Sequence, residues 1–149
     1  METARKSFCI VCLANYCRSP VAESLLKERF KDEYEFFSAG ISPLAMANMD
    51  PRSFEFLKKN NINFNFHNPK KINIKMLNYF DIFLAVDFFV LNKLNDAYPK
   101  FRHKFRSLTT QFIDLNINDP YQYQDSDYIR VMEDIKYVVQ KIDLEDYFI

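Results

Sequence analysis

Apolar positions along this chain alternate between two spacings, continuous short runs and a helical repeat. Ser7 to Leu13 (SFCIVCL) is an unbroken run, as expected of a strand covered on both faces and therefore central in its sheet. Val21, Leu25, Leu26 and Phe30 then recur along one side of a helix that Ser19 and Pro20 open and that runs to about Lys31. Tyr34 to Ala39 reads as a second strand. Asp50 caps a helix beginning at Pro51, with Phe54, Leu57 and also Phe56 turned inward. Ile74 to Tyr79 is a short helix, Asp81 to Val86 a third strand, and Phe88 to Tyr98 a helix stopped before Pro99. Phe105 to Leu108 makes a short fourth strand. A long loop over 109–125 precedes a terminal helix from Ser126, with Ile129, Met132, Ile135, Val138, Val139 and Ile142 at core spacing. Asn60 to Asn68 is rich in asparagine, which takes the turn conformations that glycine supplies elsewhere.

Strands alternating with helices predict an α/β fold, a three-layer αβα arrangement around a central four-stranded parallel sheet. Ligands of such sheets bind at the carboxyl ends of the strands, and the first such end is the loop between strand 1 and helix 1. A chain of 149 residues suits one domain, spanning 1–149, which buries roughly 68–70% of its unfolded surface without disulfide support.

Charge changes this picture only by exclusion. Twenty Lys and Arg balance twenty Asp and Glu, so no global field directs the protein to nucleic acid or to an acidic membrane, and an anion site has to be local. No run approaches a membrane span, and the first residues lack the apolar core of a signal peptide, so a cytoplasmic location is expected. The three cysteines fall within the first seventeen residues, an odd cluster unlike a secreted disulfide framework. Cys9 and Cys12 form a C-x-x-C, but residues three apart on a strand face opposite ways and no second ligand pair follows. Cys9 is therefore assigned to the core and no metal is expected.

The candidate chemistry lies in Cys12 to Ser19, CLANYCRS, where the first strand turns into the first helix. A tight loop opening a helix points successive N–H groups into one concavity with the positive end of the helix behind it, which binds an oxyanion. Arg18 adds a planar fork able to grip two phosphate oxygens. Amides, dipole and guanidinium favour the thiolate of Cys12, the nucleophilic form. Cys17 shares the tight loop and is near enough to trap an oxidised Cys12 as a disulfide.

The string CLANYCRSP resembles the signature C-x-G-N-x-C-R-S-P of the low-molecular-weight protein tyrosine phosphatases, matching at Cys12, Asn15, Cys17, Arg18, Ser19 and Pro20. Ser38-Ala39-Gly40, Asp50-Pro51-Arg52, the strand ending at Asp87, and Asp119-Pro120-Tyr121 are similar to further motifs of that family, so the likeness covers most of the chain. The sequence departs at Ala14, where the family usually carries glycine. Were a positive φ needed there, alanine would cost about 1–2 kcal/mol, whereas Asn15 is suited to a left-handed backbone and to tying the loop together through its amide.

The resemblance implies a phosphocysteine enzyme with Cys12 as nucleophile, Arg18 on the phosphate, and Leu13, Ala14, Asn15, Tyr16, Cys17 and Ser19 building or supporting the loop. It implies no cofactor. An aspartate before proline is ordinarily a turn former, yet the family match makes Asp119 the general acid and base, ahead of Asp114 and of Asp125, which lies where a helix cap is wanted. Ser19 is positioned to donate to the thiolate or simply to cap the helix, and His67 reads as a structural hydrogen-bonding residue. Tyr16, Leu44 and Tyr121 are expected to wall the pocket. Leu44 and Met46 stand where the family often places an aromatic ring, and Tyr123 is a weaker candidate. The substrate implied is a phosphotyrosine-containing protein, with inorganic phosphate or vanadate as competitive ligand.

Three rivals follow from the same loop. One is an arginine-phosphate phosphatase, whose members tend to carry threonine at the position of Tyr16. Another is a thiol-dependent arsenate reductase, which needs downstream cysteines that are absent after Cys17. The third is a non-catalytic phosphate-binding or redox-sensing module built on Cys12 and Cys17.

Overall fold

Strand β1, Ser7–Cys12, has no exposed residue, as its unbroken apolar run requires. In the computed structural model, which describes residues 4–43, 45 and 48–149, it lies inside a four-stranded sheet. The strand order is β2-β1-β3-β4, with β2 at Glu35–Gly40, β3 at Ile82–Ala85 and β4 at Phe105–Ser107, and every pairing is parallel. Because β1 leads on to β2 on one side and β3 to β4 on the other, the connections leaving β1 and β3 diverge at their carboxyl ends and open a crevice there.

The helices are α1 (Arg18–Phe30), α2 (Pro51–Lys59), α3 (Ile74–Tyr79), α4 (Phe88–Ala97) and α5 (Asp125–Lys141). Helices α1, α2 and α5 pack together, while α4 packs on β3 and β4. Asp50 caps α2 by accepting from the Arg52 N–H at 2.9 Å. Phe56 and Leu57 are buried below it, whereas Phe54 is only half-buried and meets Phe64 edge-on at 5.0 Å.

Two expectations are corrected. Ile129 is exposed, and the inward stripe of α5 is Tyr128, Val131, Met132, Ile135, Val138 and Val139. These positions keep the i, i+3, i+4, i+7 repeat, and a neighbour one residue away is turned about 100° off it. In the asparagine-rich segment only Asn61 takes a positive φ, of 57°.

Candidate active site

Residues 13–17 leave β1 and turn into α1 with their carbonyls tied outward. Ile41 N donates to Cys12 O (3.2 Å), Ser42 N to Leu13 O (2.7 Å), Asp50 N to Tyr16 O (3.0 Å) and Ser53 Oγ to Cys17 O (2.9 Å). His67 Nε2 donates to Asn15 O at 2.7 Å, which fixes the Nε2–H tautomer. Burial in that position lowers the pKa of His67 below its ordinary 6.5, so the imidazole is neutral.

The left-handed residue of the loop is Asn15, at φ 53°, and Ala14 is not among the residues with positive φ. The departure from glycine at position 14 therefore carries no backbone cost. Asn15 folds the chain back so that its own N–H reaches Cys12 Sγ at 3.2 Å. Its amide Nδ2 donates to Ser19 Oγ (2.8 Å) and Ser38 Oγ (3.0 Å), and its Oδ1 accepts from Lys70 N (3.0 Å). Ser38 Oγ in turn donates to Glu23 Oε1 at 2.5 Å. With its oxygen accepting from Asn15, Ser19 has its hydroxyl hydrogen left for Cys12 Sγ, 3.0 Å away. Ser19 lies within α1 and is not a helix cap.

Arg18 is 2% exposed and held through one nitrogen: Nη1 donates to Asp87 Oδ2 (2.5 Å) and to Ile117 O (2.8 Å). Among the described residues its Nε and Nη2 have no partner, so they remain available on the side of the cavity that Arg18 lines. Burial alone would pull the guanidinium down, but Cys12, Asp87 and Asp119 offset it, and the pKa lies above the ordinary value.

The cavity, about 280 Å³, is lined by Cys12, Leu13, Ala14, Cys17, Arg18, Ser42, Asp119 and Tyr121. Cys12, Arg18 and Asp119 thus meet from two distant segments of the chain. Asp119 is exposed, and its Oδ1 accepts from Tyr121 N at 3.1 Å. Asp114 lines a neighbouring groove rather than this cavity, and Asp125 is the first residue of α5.

Tyr16 does not line the cavity. Its ring is 5% exposed, taken into the core, and stands edge-on behind Tyr121 at 6.0 Å. Leu44 and Met46 lie outside the described residues. Cys17 lines the cavity beside Cys12, both as free cysteines, and burial pushes its thiol up to about 12. Cys9 is fully buried, as expected of a core residue. No cluster of His, Cys, Asp or Glu suited to a metal occurs among the described residues.

Sequence reasoning placed Ser38, Arg52 and Asp87 in family-like motifs without giving them a part in the site, and missed Glu23. Asp87 had a legible signal, an aspartate between a strand and a helix next to β1. The other three act through tertiary contacts that no local pattern reveals.

The chain is similar to known proteins over most of its length. The sequence profile of the family described as low molecular weight phosphotyrosine protein phosphatase matches residues 7–144. The low molecular weight protein-tyrosine-phosphatase Ptp of Acinetobacter johnsonii is 30% identical over 118 residues, 79% of this chain and 82% of that protein. Wzb of Escherichia coli strain K12, another of that description, is 27% identical over 113 residues, 76% of each. Among solved structures, the tyrosine phosphatase Wzb from Escherichia coli K30 in complex with sulphate superposes with a TM-score of 0.84 at 23% identity, over 93% of this chain and 96% of that one. The YwlE arginine phosphatase from Geobacillus stearothermophilus gives 0.81 at 20% identity, over 91% and 88%. At such identities the structural likenesses speak for the fold alone.

Proposed function

Since the chain belongs to the low molecular weight phosphotyrosine protein phosphatase family, cysteine-based hydrolases that need no metal, we propose that it hydrolyses protein phosphotyrosine through a phosphocysteine on Cys12 with Asp119 as acid and base. The observation that carries this reading is the single cavity shared by Cys12, Arg18 and Asp119.

In the first step the Cys12 thiolate attacks phosphorus in line. The S–P bond forms, the P–O bond to the phenolate breaks, and the Asp119 carboxyl gives its proton to the departing oxygen. In the second step water attacks phosphorus, the Asp119 carboxylate takes its proton, and the S–P bond breaks to release phosphate. Arg18 Nε and Nη2 face the equatorial oxygens, where charge is spread in the transition state. The Ser19 hydroxyl, oriented by Asn15, stabilises the thiolate both as nucleophile and as leaving group.

Tyr121 on the cavity wall, backed by Tyr16, favours a flat aryl group over an extended arginine phosphate. The expected location is the cytoplasm, and the substrate class a phosphotyrosine protein. Cys17, protonated at ordinary pH, is the proposed trap for oxidised Cys12.

The purified protein should hydrolyse an aryl phosphate, be inhibited competitively by phosphate and vanadate, and lose turnover in Cys12→Ser. Turnover surviving that substitution would remove Cys12 from the mechanism. Peptides bearing phosphotyrosine, phosphoserine or phosphoarginine, assayed side by side, test the substrate class. A preference for phosphoarginine would transfer the assignment.

A further inference from the structure

Arg52, second residue of α2, uses almost its whole guanidinium. Nε and Nη2 each donate to Asp50, at 3.0 Å to Oδ1 and 3.0 Å to Oδ2. The remaining contacts go to the loop that carries Asp119: Nη2 donates to Tyr121 O at 2.9 Å and Nη1 to Tyr123 O at 2.6 Å. The flat face of the group rests on the Tyr128 ring, 3.9 Å from its centroid. Asp50 in turn donates its N–H to Tyr16 O, inside the phosphate loop. One short chain of contacts therefore runs from the phosphate loop through Asp50 and Arg52 to the carbonyl two residues beyond Asp119.

Beyond the edge-on contact of Tyr121 with Tyr16 and a turn bond from Tyr123 N to Pro120 O, the loop has little else to hold it. Asn118, Asp119, Tyr121, Gln122 and Tyr123 are exposed, and the buried points near them are Ile117 and Pro120. Ile117 is tied by its carbonyl to Arg18, so the segment hangs between two guanidinium groups. The Asp119 carboxylate is itself oriented by Tyr121 N, and Tyr121 is a residue that Arg52 grips. Arg52 and the Asp119 carboxylate thus meet at one residue, Tyr121, the first through its carbonyl and the second through its N–H.

We propose that Arg52 is a positioning residue for Asp119, setting the acid against the phosphate loop; the proposal rests on the reading of Asp119 as the general acid. Its consequence is selective. An ill-placed acid slows the expulsion of a poor leaving group, while a phenolate stable enough to leave unprotonated hardly depends on it.

The test compares Arg52→Met, Asp119→Asn and the double variant on phenyl phosphate and p-nitrophenyl phosphate, together with inhibition by inorganic phosphate. In Arg52→Met, kcat/KM on phenyl phosphate should fall about 10- to 100-fold, the scale of a catalytic group misplaced by an ångström. The fall on p-nitrophenyl phosphate should be much smaller, and the inhibition constant of phosphate should stay at the wild-type value. Added to Asp119→Asn, the substitution should cost nothing further on phenyl phosphate. Equal losses on both substrates, a further loss in the Asp119→Asn background, or no loss would each overturn the proposal. If Asp119→Asn loses phenyl phosphate selectively and Arg52→Met does not, only the role of Arg52 falls. If Asp119→Asn matches wild type, the acid assignment falls and this proposal with it. Should Arg52→Met fail to fold, Arg52→Lys carries the same comparison, since it keeps the charge over Tyr128 while giving up the fork.

Discussion

Gly40 is the one glycine of the chain, and freedom of φ is not what it contributes. A Cβ added there would stand 2.8 Å from Asn15 N and 2.9 Å from both Ala14 C and Leu13 O. All three atoms are backbone of the phosphate loop and cannot swing aside. Gly40→Ala should therefore push the loop away from β2, at a cost of about 3 kcal/mol by the scale of overpacked sites. Urea denaturation would read this as a lower midpoint at unchanged slope, with weakened phosphate binding alongside. A wild-type midpoint would mean that β2 yields instead. The position of the loop with Cys12 and Arg18 was legible in CLANYCRS, and so was the fitness of Asn15 for a left-handed backbone, but not what selects that conformation. The reason is tertiary: Asn15 is held in the left-handed region by bonds to Ser38, His67 and Lys70, none of which is near it in sequence.

Element boundaries were read well where a local signal exists, as in α3, whose ends match the expected Ile74 and Tyr79. The phase of α5 was legible from Met132 onward and failed at its first turn. There Ile129 looked as apolar as its neighbours, and only packing against α1 and α2 selects Tyr128. Asp87 illustrates how one element end serves two tasks. Its Oδ1 caps α4 by accepting from Val90 N at 2.8 Å, and its Oδ2 holds the Arg18 guanidinium. Asp87→Asn separates the tasks, since asparagine caps a helix as well as aspartate does. The variant should keep α4 but leave Arg18, 2% exposed, without its counter-charge, a loss of about 3 kcal/mol by the scale of broken buried pairs. Inorganic phosphate supplies the missing charge and should raise the Tm of Asp87→Asn more than that of wild type. Equal shifts in the two proteins would argue that Asp87 is only a cap.

Across the whole molecule, the site is assembled from both ends of the chain and braced from its middle. Sequence reasoning reached Asp119 only through a resemblance, because nothing in the spacing of residues 109–125 says which aspartate faces Cys12. The brace at His67 has a global consequence. Burial lowers its pKa in the folded protein, against a stabilising bond to Asn15 O, and the charges around it are Lys70, Lys27 and Glu23. The unfolded chain therefore binds a proton near 6.5 that the native state refuses. This contribution to stability is complete above about pH 6.5 and is lost as pH falls through the lower native value. Glu145, whose pKa is lowered from 4.5 by Lys6 and Tyr34, acts only in a more acidic window. The urea midpoint should thus decline between pH 7.5 and pH 5.5, and the decline should flatten in His67→Gln, where an uncharged donor takes the place of Nε2–H. A decline of the same size in that variant would assign the titration to another group.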